Sequence, residues 1–334
     1  QKSPRVDFCP FLGYNMLVIL RIITFFDEGG LGVLKTNEAV RKMFAGNSKL
    51  RTLSQTDVEQ VQQVLLVMMD DFDRLCRKHG LTYFLCGGSA LGAMRHQGFI
   101  PWDDDLDLAM PRADYDRLAE LITQEYGDRY WVQTIHNSDL YELPFLKMRK
   151  KGTRFLELFD PDPEHAGIFL DVFPVENVPN FCLWRGLHGA ISDFLHLCCS
   201  CVRMNVKRQR YFAYFEDAKF LKTVKVKAFL GKCLSFCSLH RWCLMSEKWD
   251  ARCRNTKSKY VSIPTGRGHY FGEVVARSTM LPVQDVPFAD RSYWTMADPD
   301  QYLTNLYGDY HRIPPVEKRE VHGILELELG ETNE

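Results

Sequence analysis

The residues best suited to chemistry lie between Gly87 and Asp107, where a glycine turn is followed by a run of aspartates. Asp103, Asp105 and Asp107 stand at alternate positions, so a β-strand would place all three carboxylates on one face. Like charges on one face repel each other, and an unpaired buried carboxylate is costly. Mg²⁺ or Mn²⁺ relieves that repulsion through oxygen ligands. The run therefore predicts a metal site, and a solvated acidic turn is the alternative.

The turn Gly87-Gly88-Ser89 follows a predicted short strand (81–86) and precedes a predicted short helix that stops at Gly98. Glycines let the backbone approach an anion, and the N-terminus of a helix offers unpaired N–H groups. Such turns are common, so the turn alone is weak evidence. Its position just before the carboxylates predicts that it holds phosphates, which the metal would bridge.

Two further groups of charged residues lie on predicted neighbouring strands. Asp171 is a single acid in the apolar stretch 167–175, where it is either a third metal ligand or an acid satisfied by hydrogen bonds. Lys147, Arg149 and Lys150 lie on or just after another strand and could reach a leaving phosphate. A solvated strand edge is an equally good explanation for these cations.

The elements that must position these residues form a mixed α/β pattern. A helix is expected from Ser54, with Asp57 as its capping-box partner, to Gly80. Alternating strand and helix patterns follow, so the prediction is a mixed sheet with flanking helices and a helical insert. The predicted domains are an N-terminal segment (1–53), a catalytic core (54–180), a basic helical insert (181–260) and a C-terminal mixed segment packed on the core (261–334).

Composition narrows the function class. The 334 residues are 46% hydrophobic with a net charge of −1, which describes a globular chain with no general attraction to nucleic acid. From 201 to 260, however, fifteen Lys and Arg face four Asp and Glu, a net charge of +11. These cations suit an anionic membrane surface, and an ordinary solvated helix face is nearly as good an explanation. The apolar stretch 14–26 is short and is split by Arg21, which favours a packed or interfacial helix over a membrane span.

Eleven cysteines cannot all pair within one chain, so most are expected to be reduced and buried, which favours a cytoplasmic location. Cys233, Cys237, His240 and Cys243 have spacings that suggest zinc. The stretch 226–249 is predicted to be one helix, and a single rigid helix cannot wrap four ligands around a tetrahedral ion. Buried free cysteines are therefore the favoured explanation.

The acidic segment 87–112 closely resembles the signature of the LicD family, whose relatives include fukutin and fukutin-related protein. Three further blocks resemble the same family, at 143–157, 165–177 and 302–322. The resemblance implies a nucleotidyltransferase fold of the DNA polymerase β type. By position it assigns Gly87, Gly88 and Ser89 to the turn and Asp105, Asp107 and Asp171 to the metal ligands and catalytic acids.

The resemblance also implies an activity of the EC 2.7.8 kind. A substituted phosphate, such as phosphocholine or a polyol phosphate, would pass from a CDP-linked donor to a glycan or lipid-linked glycan hydroxyl, with release of CMP. Bacterial members of the family decorate teichoic acid, lipopolysaccharide or capsule, and eukaryotic relatives act in glycoprotein glycan assembly. The expected location is the cytoplasm, with peripheral contact at the inner face of the membrane, or the Golgi lumen in a eukaryote.

Two alternatives to this activity remain open. In the first, the nucleotide itself is transferred and pyrophosphate leaves; in the second, an inactivated transferase fold serves as a binding protein. Asp103, together with Lys147 and Arg149, is a candidate for contact with the substrate. A choline group would need an aromatic cage, since quaternary ammonium binds ring faces. The candidates are Trp102, Tyr115, Trp131, Tyr293 and Trp294.

Overall fold

The computed structural model describes residues 43–44, 47–316 and 319–330. The helices are α1 (Gln55–His79), α2 (Gly87–His96), α3 (Arg112–Tyr126), α4 (Cys182–Val206), α5 (Arg208–Tyr214), α6 (Ala218–Leu234), α7 (Leu239–Asp250), α8 (His269–Glu273), α9 (Arg277–Met280) and α10 (Pro299–Tyr307). The strands are β1 (Phe84–Leu85), β2 (Asp107–Pro111), β3 (Tyr130–Gln133), β4 (Leu146–Lys150), β5 (Arg154–Glu157), β6 (Phe169–Val178), β7 (Tyr260–Ser262), β8 (Val275–Ala276), β9 (Gln284–Phe288), β10 (Arg291–Thr295) and β11 (Ile324–Glu328).

Nine of these strands form one mixed sheet, in the order β3-β4-β6-β2-β1-β10-β9, with β7 and β8 joined to the far end of β6. β2 runs parallel to β6 and β1 runs parallel to β10, while the other neighbours are antiparallel. β5 and β11 form a separate two-stranded ladder. The predicted mixed α/β sheet with flanking helices is confirmed.

α1 forms as its sequence predicts. Its N-cap Ser54 accepts a hydrogen bond from the Asp57 N–H group, and the Asp57 carboxylate accepts one from the Ser54 N–H group. Gly80 ends the helix in the left-handed conformation, with φ at 62°. Its apolar residues at helical spacing are all buried: Val58, Val61, Leu65, Met68, Phe72 and Leu75.

The acid-bearing strand lies in the middle of the sheet. β2 pairs with β1 on one side, where Phe84 faces Ala109, and with β6 on the other. Leu108, Ala109 and Met110 are fully buried. Because β2 lies between two strands, the backbone at its first residue, Asp107, is held in place, and so is the origin of the Asp107 side chain.

The helical region that follows β6 differs from the sequence prediction in one respect. The expected single helix over 226–249 is wrong, because α6 ends at Leu234 and α7 begins at Leu239. The intervening turn ends at Ser238, whose side chain accepts a hydrogen bond from the Arg241 N–H group and so starts a new helix. α6 crosses α4 closely at Gly231, where a Cβ atom would lie 2.0 Å from the carbonyl oxygen of Cys201.

The described ranges contain no helix that combines the length and the apolar character needed to cross a bilayer. The apolar stretch 14–26 lies outside the described residues, as does most of the predicted segment 1–53. The ten cysteines within the described ranges are all free thiols, and six of them are buried. The predicted domain boundaries stay predictions.

Candidate active site

The acidic run has no regular secondary structure before its last aspartate. β2 begins at Asp107, so the prediction that 103–106 continue the strand, with Asp103 and Asp105 alternating on its face, is wrong. A regular strand would turn Asp104 away from its neighbours. The irregular backbone instead lets consecutive acids point inward, and Asp104 and Asp105 are both buried.

The glycine turn packs directly against these acids. Gly87 begins α2 with φ at +52°, and a Cβ atom there would lie 2.9 Å from Oδ2 of Asp107. A Cβ atom at Gly88 would lie 3.0 Å from Oδ2 of Asp103. Ser89 turns its hydroxyl to the same segment and accepts a hydrogen bond of 2.7 Å from the Asp107 N–H group. The turn and the acids therefore form one site, in which the two glycines make the close approach sterically feasible.

The first turn of α2 keeps backbone donors near the acids. The side chain of its N-cap residue, Cys86, makes no capping hydrogen bond with the described residues. The Gly87 N–H group donates to the Tyr302 hydroxyl over 3.4 Å. The first N–H groups of any helix have no partner within it, and they attract anions. This end of α2 can therefore bind phosphate oxygens beside the carboxylates.

Asp171 lies next to Asp107 in the sheet, because the two residues are register partners of the parallel strands β2 and β6. Lys147, on β4, places its Nζ 2.9 Å from Oδ1 and 3.1 Å from Oδ2 of Asp171. Burial raises the pKa of Asp171 to about 6, against the lowering effect of Lys147. Lys147 is itself buried. Its ammonium group therefore offsets the negative charge of Asp171.

The acids also act on one another. Burial raises the pKa of Asp103 well above its usual range, and the charges of Asp105, Asp104 and Asp107 raise it further. His322 opposes this rise. A cluster with so much negative charge is more stable when a cation lies near it.

His322 completes a compact ligand group. Its Nδ1 lies 2.5 Å from Oδ1 of Asp104, and its Nε2 lies 3.4 Å from Oδ2 of Asp105. One ligand atom from each of these three residues lies within 4.8 Å of the others. Two carboxylates and an imidazole are a common donor set for divalent metals, so the residues fit a bound cation. Asp107 and Asp171, the other predicted ligands, are not members of this compact group.

A C-terminal strap, residues 319–323, brings His322 to the acids. The guanidinium carbon of Arg319 lies 3.8 Å from the ring centre of Trp102, and Glu320 forms two hydrogen bonds of 2.7 Å with Arg267. The strap ends where the Leu158 N–H group donates to the Gly323 carbonyl oxygen over 2.7 Å, just before β11. Three side chains and the backbone thus fix the strap across the cluster.

Arg149, a predicted phosphate contact, lies in the interior instead. Its guanidinium donates to the Asp160 carboxylate over 2.9 Å and to the Gln133 amide oxygen over 2.5 Å. Its exposed fraction is 1%. In this arrangement Arg149 ties β4 to the loop after β5, and its hydrogen-bond partners in the described part of the chain lie outside the acid cluster.

Tyr302 and Glu273 support the glycine turn from behind, and sequence reasoning missed both. Tyr302, on α10, is the hydrogen-bond partner of Gly87, and burial raises the pKa of Glu273 to about 7 against the lowering effect of the Tyr302 hydroxyl. One oxygen of Glu273 accepts a hydrogen bond from the Gly268 N–H group. Tyr302 and His322 are the first and last residues of the C-terminal block that resembles LicD. That resemblance is the one signal in the sequence that places these two residues at the site.

Most of the candidate aromatic rings already have partners elsewhere. Trp102 differs, because it directly precedes Asp103 in the chain and holds the Arg319 cation on its face. The other contacts are Arg112 over Tyr115 at 4.9 Å, His165 stacked on Trp131 at 4.5 Å, Arg77 over Trp294 at 4.3 Å, and the Tyr293 hydroxyl donating to Asp70 over 2.7 Å.

The residues considered for zinc do not come together. Cys233 is exposed, whereas Cys243 is buried. His240 has its Nε2 3.5 Å from Asp139. Within the described ranges, none of these residues belongs to a group of three close metal ligands.

Comparison with known proteins bears on the acid cluster and the glycine turn together. Residues 80–187 match the family model described as "LicD/FKTN/FKRP, nucleotidyltransferase domain". The resemblance to the LicD family is confirmed. Over 285 residues the chain is 27% identical to "Lipopolysaccharide cholinephosphotransferase LicD" of Haemophilus influenzae, an alignment that covers 80% of this chain and 97% of the relative. It is also 40% identical over 119 residues to an uncharacterized protein of Rickettsia prowazekii, which covers 34% of this chain and 45% of that protein.

The LicD-type stretch contains the turn, the four clustered aspartates and Asp171, but it ends before the helical region is complete. His322, Tyr302 and Glu273 lie outside it. The site as folded therefore combines residues of the stretch that matches the family model with residues from the C-terminal part of the chain.

Proposed function

We propose that this protein transfers a substituted phosphate, phosphocholine or a similar group, from a CDP-linked donor to a glycan hydroxyl and releases CMP. The observation that carries the proposal is the packing of the Gly87-Gly88 turn against Asp103 and Asp107, beside the ligand group of Asp104, Asp105 and His322. A phosphate-binding helix end and a cation site in direct contact are what a diphosphate-linked donor requires. The family match and the named activity of the Haemophilus relative support the same reaction.

The reaction would break the phosphoanhydride bond of the donor diphosphate and form a phosphoester bond to the acceptor. The acceptor oxygen attacks the phosphorus atom that bears the head group, the bond from that phosphorus to the oxygen of CMP breaks, and the acceptor proton passes to a carboxylate of the cluster. Backbone N–H groups at the start of α2 would hold the donor phosphates in line with the acceptor. Lys147 would keep Asp171 ionised by its contact of 2.9 Å.

Asp104, Asp105 and His322, with Asp107 and Asp171 on the adjacent strand ends, would hold Mg²⁺ or Mn²⁺ at this site. The cation, when bound, supplies neutralisation of charge on the donor phosphates. This chain's own residues would orient the donor and take up the acceptor proton. Ser89 fixes the start of β2 through the Asp107 N–H group, and Tyr302 fixes Gly87.

A choline head group could bind to the face of one aromatic ring beside the acids. Trp102 already binds a cation, the Arg319 guanidinium, on its face at 3.8 Å. A quaternary ammonium has the same preference for ring faces. The proposal for choline is that its ammonium group displaces or joins Arg319 on Trp102. A polyol head group would have no use for this contact.

The test is a panel of CDP-linked donors (choline, ethanolamine, glycerol and ribitol) with Mg²⁺ or Mn²⁺, scored for CMP release and for the transferred group. We expect CMP release with one donor, and its loss in Asp105→Asn with the circular dichroism spectrum unchanged. Near-normal turnover by Asp105→Asn would refute the site. Release of pyrophosphate from a nucleoside triphosphate, with no CMP release from any donor, would instead establish nucleotidyl transfer, the alternative activity.

A location at the inner face of a membrane, with a lipid-linked glycan as acceptor, belongs to the same proposal. The polysaccharide named in the Haemophilus relative is a lipid-anchored glycan by its own name. To test whether transfer needs the lipid part of the acceptor, we would measure CMP release together with the partition of the acceptor between detergent micelles and buffer.

A further inference from the structure

Helix α4 begins with an apolar surface that faces solvent. Among the described residues, five large apolar side chains of this short stretch are exposed by 45% or more of their area: Phe181 (59%), Leu183 (52%), Trp184 (60%), Leu187 (45%) and Phe194 (54%). Trp184, Leu187, Ile191 and Phe194 follow one another at intervals of three and four, which puts them on one side of the helix. We call these six residues the α4 surface.

The opposite side of α4 is firmly packed, so this exposure does not come from a loosely attached helix. His188 Nε2 donates a hydrogen bond of 3.0 Å to the Trp249 carbonyl oxygen, and the Trp249 ring nitrogen donates to the His188 carbonyl oxygen over 3.0 Å. Ser192 donates to the Asp250 carboxylate over 2.5 Å. α7 therefore fixes the rotation of α4 and directs the apolar stripe outward.

A basic segment lies beside the α4 surface. Residues 251–259 contain four Lys or Arg and no acidic residue, and all four cations are exposed: Arg252, Arg254, Lys257 and Lys259. The segment is tied to the start of α4 through Asn180, whose side-chain oxygen accepts 2.9 Å and 2.7 Å hydrogen bonds from the Ser258 hydroxyl and the Lys259 N–H group. The cations are thus held next to Phe181 and the residues that follow it.

We propose that the α4 surface and the basic segment together dock this protein on an anionic lipid bilayer. Exposed Trp, Phe and Leu side chains on one side of a helix enter the interface, and adjacent Lys and Arg side chains are attracted to anionic headgroups. A second copy of the chain is a poorer occupant, because a two-fold contact would bring two acid-free basic segments together. This inference concerns the location of the protein and does not rest on the proposed transfer reaction.

The sequence pattern alone assigned membrane contact to the lysines and arginines of the basic insert in general. The structure separates two surfaces there. α6 also has an outward stripe, formed by Lys222, Lys225, Phe229 and Lys232, but it carries one large apolar side chain where the α4 surface carries six. The α6 stripe therefore serves as a matched control with similar charge and less apolar area.

The test is co-sedimentation of the full chain with vesicles of phosphatidylcholine, with and without 30% phosphatidylglycerol — on the order of the anionic content that gives a strong surface potential. The basic variant is Arg254→Gln, Lys257→Gln and Lys259→Gln, and its control in the α6 stripe is Lys222→Gln, Lys225→Gln and Lys232→Gln. The apolar variant is Trp184→Gln with Leu187→Gln, and its control is Phe229→Gln. All of these side chains are exposed, so circular dichroism should be unchanged.

We expect the wild type to bind anionic vesicles, and the basic variant to lose roughly 100-fold in partition coefficient, at about 1 kcal/mol per cation near the surface. The apolar variant should lose at least tenfold by the burial of about one large side chain, while both controls lose less than threefold. Equal loss in the α6 controls, or binding retained by both α4 variants, would overturn the proposal. So would a concentration-dependent dimer that Trp184→Gln abolishes in the absence of lipid. Asp105→Asn should bind vesicles like the wild type, which keeps this result separate from the transfer reaction.

Discussion

Replacement of Gly87 by alanine gives the sharpest test of how the site is built. The residue has φ at +52°, a conformation that costs a side chain about 1–2 kcal/mol. The new methyl carbon would also lie 2.9 Å from Oδ2 of Asp107, which is closer than real Cβ contacts allow. Either the turn or the carboxylate must move by several tenths of an ångström. We expect a fall in stability and a much larger fall in activity, because the acid is displaced from the donor phosphates.

Gly80→Ala is the matched control, because Gly80 has almost the same φ, 62°, and because, its chain neighbours aside, no atom of the described residues would lie within 4 Å of the added carbon. Both variants should therefore lose about 1–2 kcal/mol of unfolding free energy in urea titrations. Only Gly87→Ala should lose activity, by at least 100-fold, since placement errors of this size are costly in phosphoryl transfer. Gly88→Ala, which brings a methyl carbon 3.0 Å from Asp103 without the backbone strain, should fall between the two.

Two readouts decide the matter: CMP release from the active donor, and Mn²⁺ affinity by calorimetry, which needs no turnover. Gly87→Ala should weaken Mn²⁺ binding if Asp107 helps to hold the cation. Near-normal turnover in Gly87→Ala would refute the argument that this glycine permits the contact with Asp107. An equal loss of turnover in Gly80→Ala would show that general destabilisation, and not the site geometry, is responsible.

Three further predictions follow from single contacts. His322→Ala should weaken Mn²⁺ binding at least tenfold in calorimetry, since it removes one of three close ligands, and unchanged affinity would exclude it from the site. Arg149→Met should reduce the unfolding free energy by about 3 kcal/mol or more in urea, because it leaves Asp160 buried without its cation; turnover lost at unchanged stability would instead make Arg149 a substrate contact. Burial lowers the pKa of His269 from 6.5 to about 4, so the unfolded chain binds this proton more readily and stability is lost as pH falls through that window. Asparagine tolerates the φ of 52° at this position. Between pH 7 and pH 4, the unfolding free energy of His269→Asn should therefore fall by less than that of the wild type, with a difference of up to about 3 kcal/mol. Equal falls in the two proteins would contradict this assignment.

Local signals predicted much of this fold because they act over a few residues. The capping box at Ser54, the left-handed Gly80 and the apolar spacing of α1 all depend on contacts within one or two helical turns. The turn at 235–238 was missed for the complementary reason. Every residue there is compatible with a helix, and the choice of Ser238 as a new N-cap depends on how α6 and α7 pack on α4.

The acid cluster shows where alternation ceases to be a reliable guide. Residues 103–106 contain three aspartates in irregular chain, and what places them is their surroundings: the glycine turn beside Asp103 and the C-terminal strap beside Asp104. A regular strand would have separated Asp104 from Asp105, whereas the observed chain lets one imidazole contact both.

His322 could not have been assigned from spacing, because 216 residues lie between it and Asp105 and only tertiary structure brings them together. The register of β11 against β5 fixes where the strap ends, and the hydrogen bond from the Leu158 N–H group to the Gly323 carbonyl oxygen holds that end in place. Stability of that small ladder should therefore control the metal site from a distance. Pairing of β5 with β11 is the physical link between the C-terminal end of the chain and the chemistry at Asp104 and Asp105. A variant that weakens the ladder without touching the acids, such as Leu327→Ala, should reduce Mn²⁺ affinity in calorimetry, and it should do so less in the His322→Ala background, where the strap no longer supplies a ligand. Equal effects in both backgrounds would show that the ladder acts on the acids by some other route than His322.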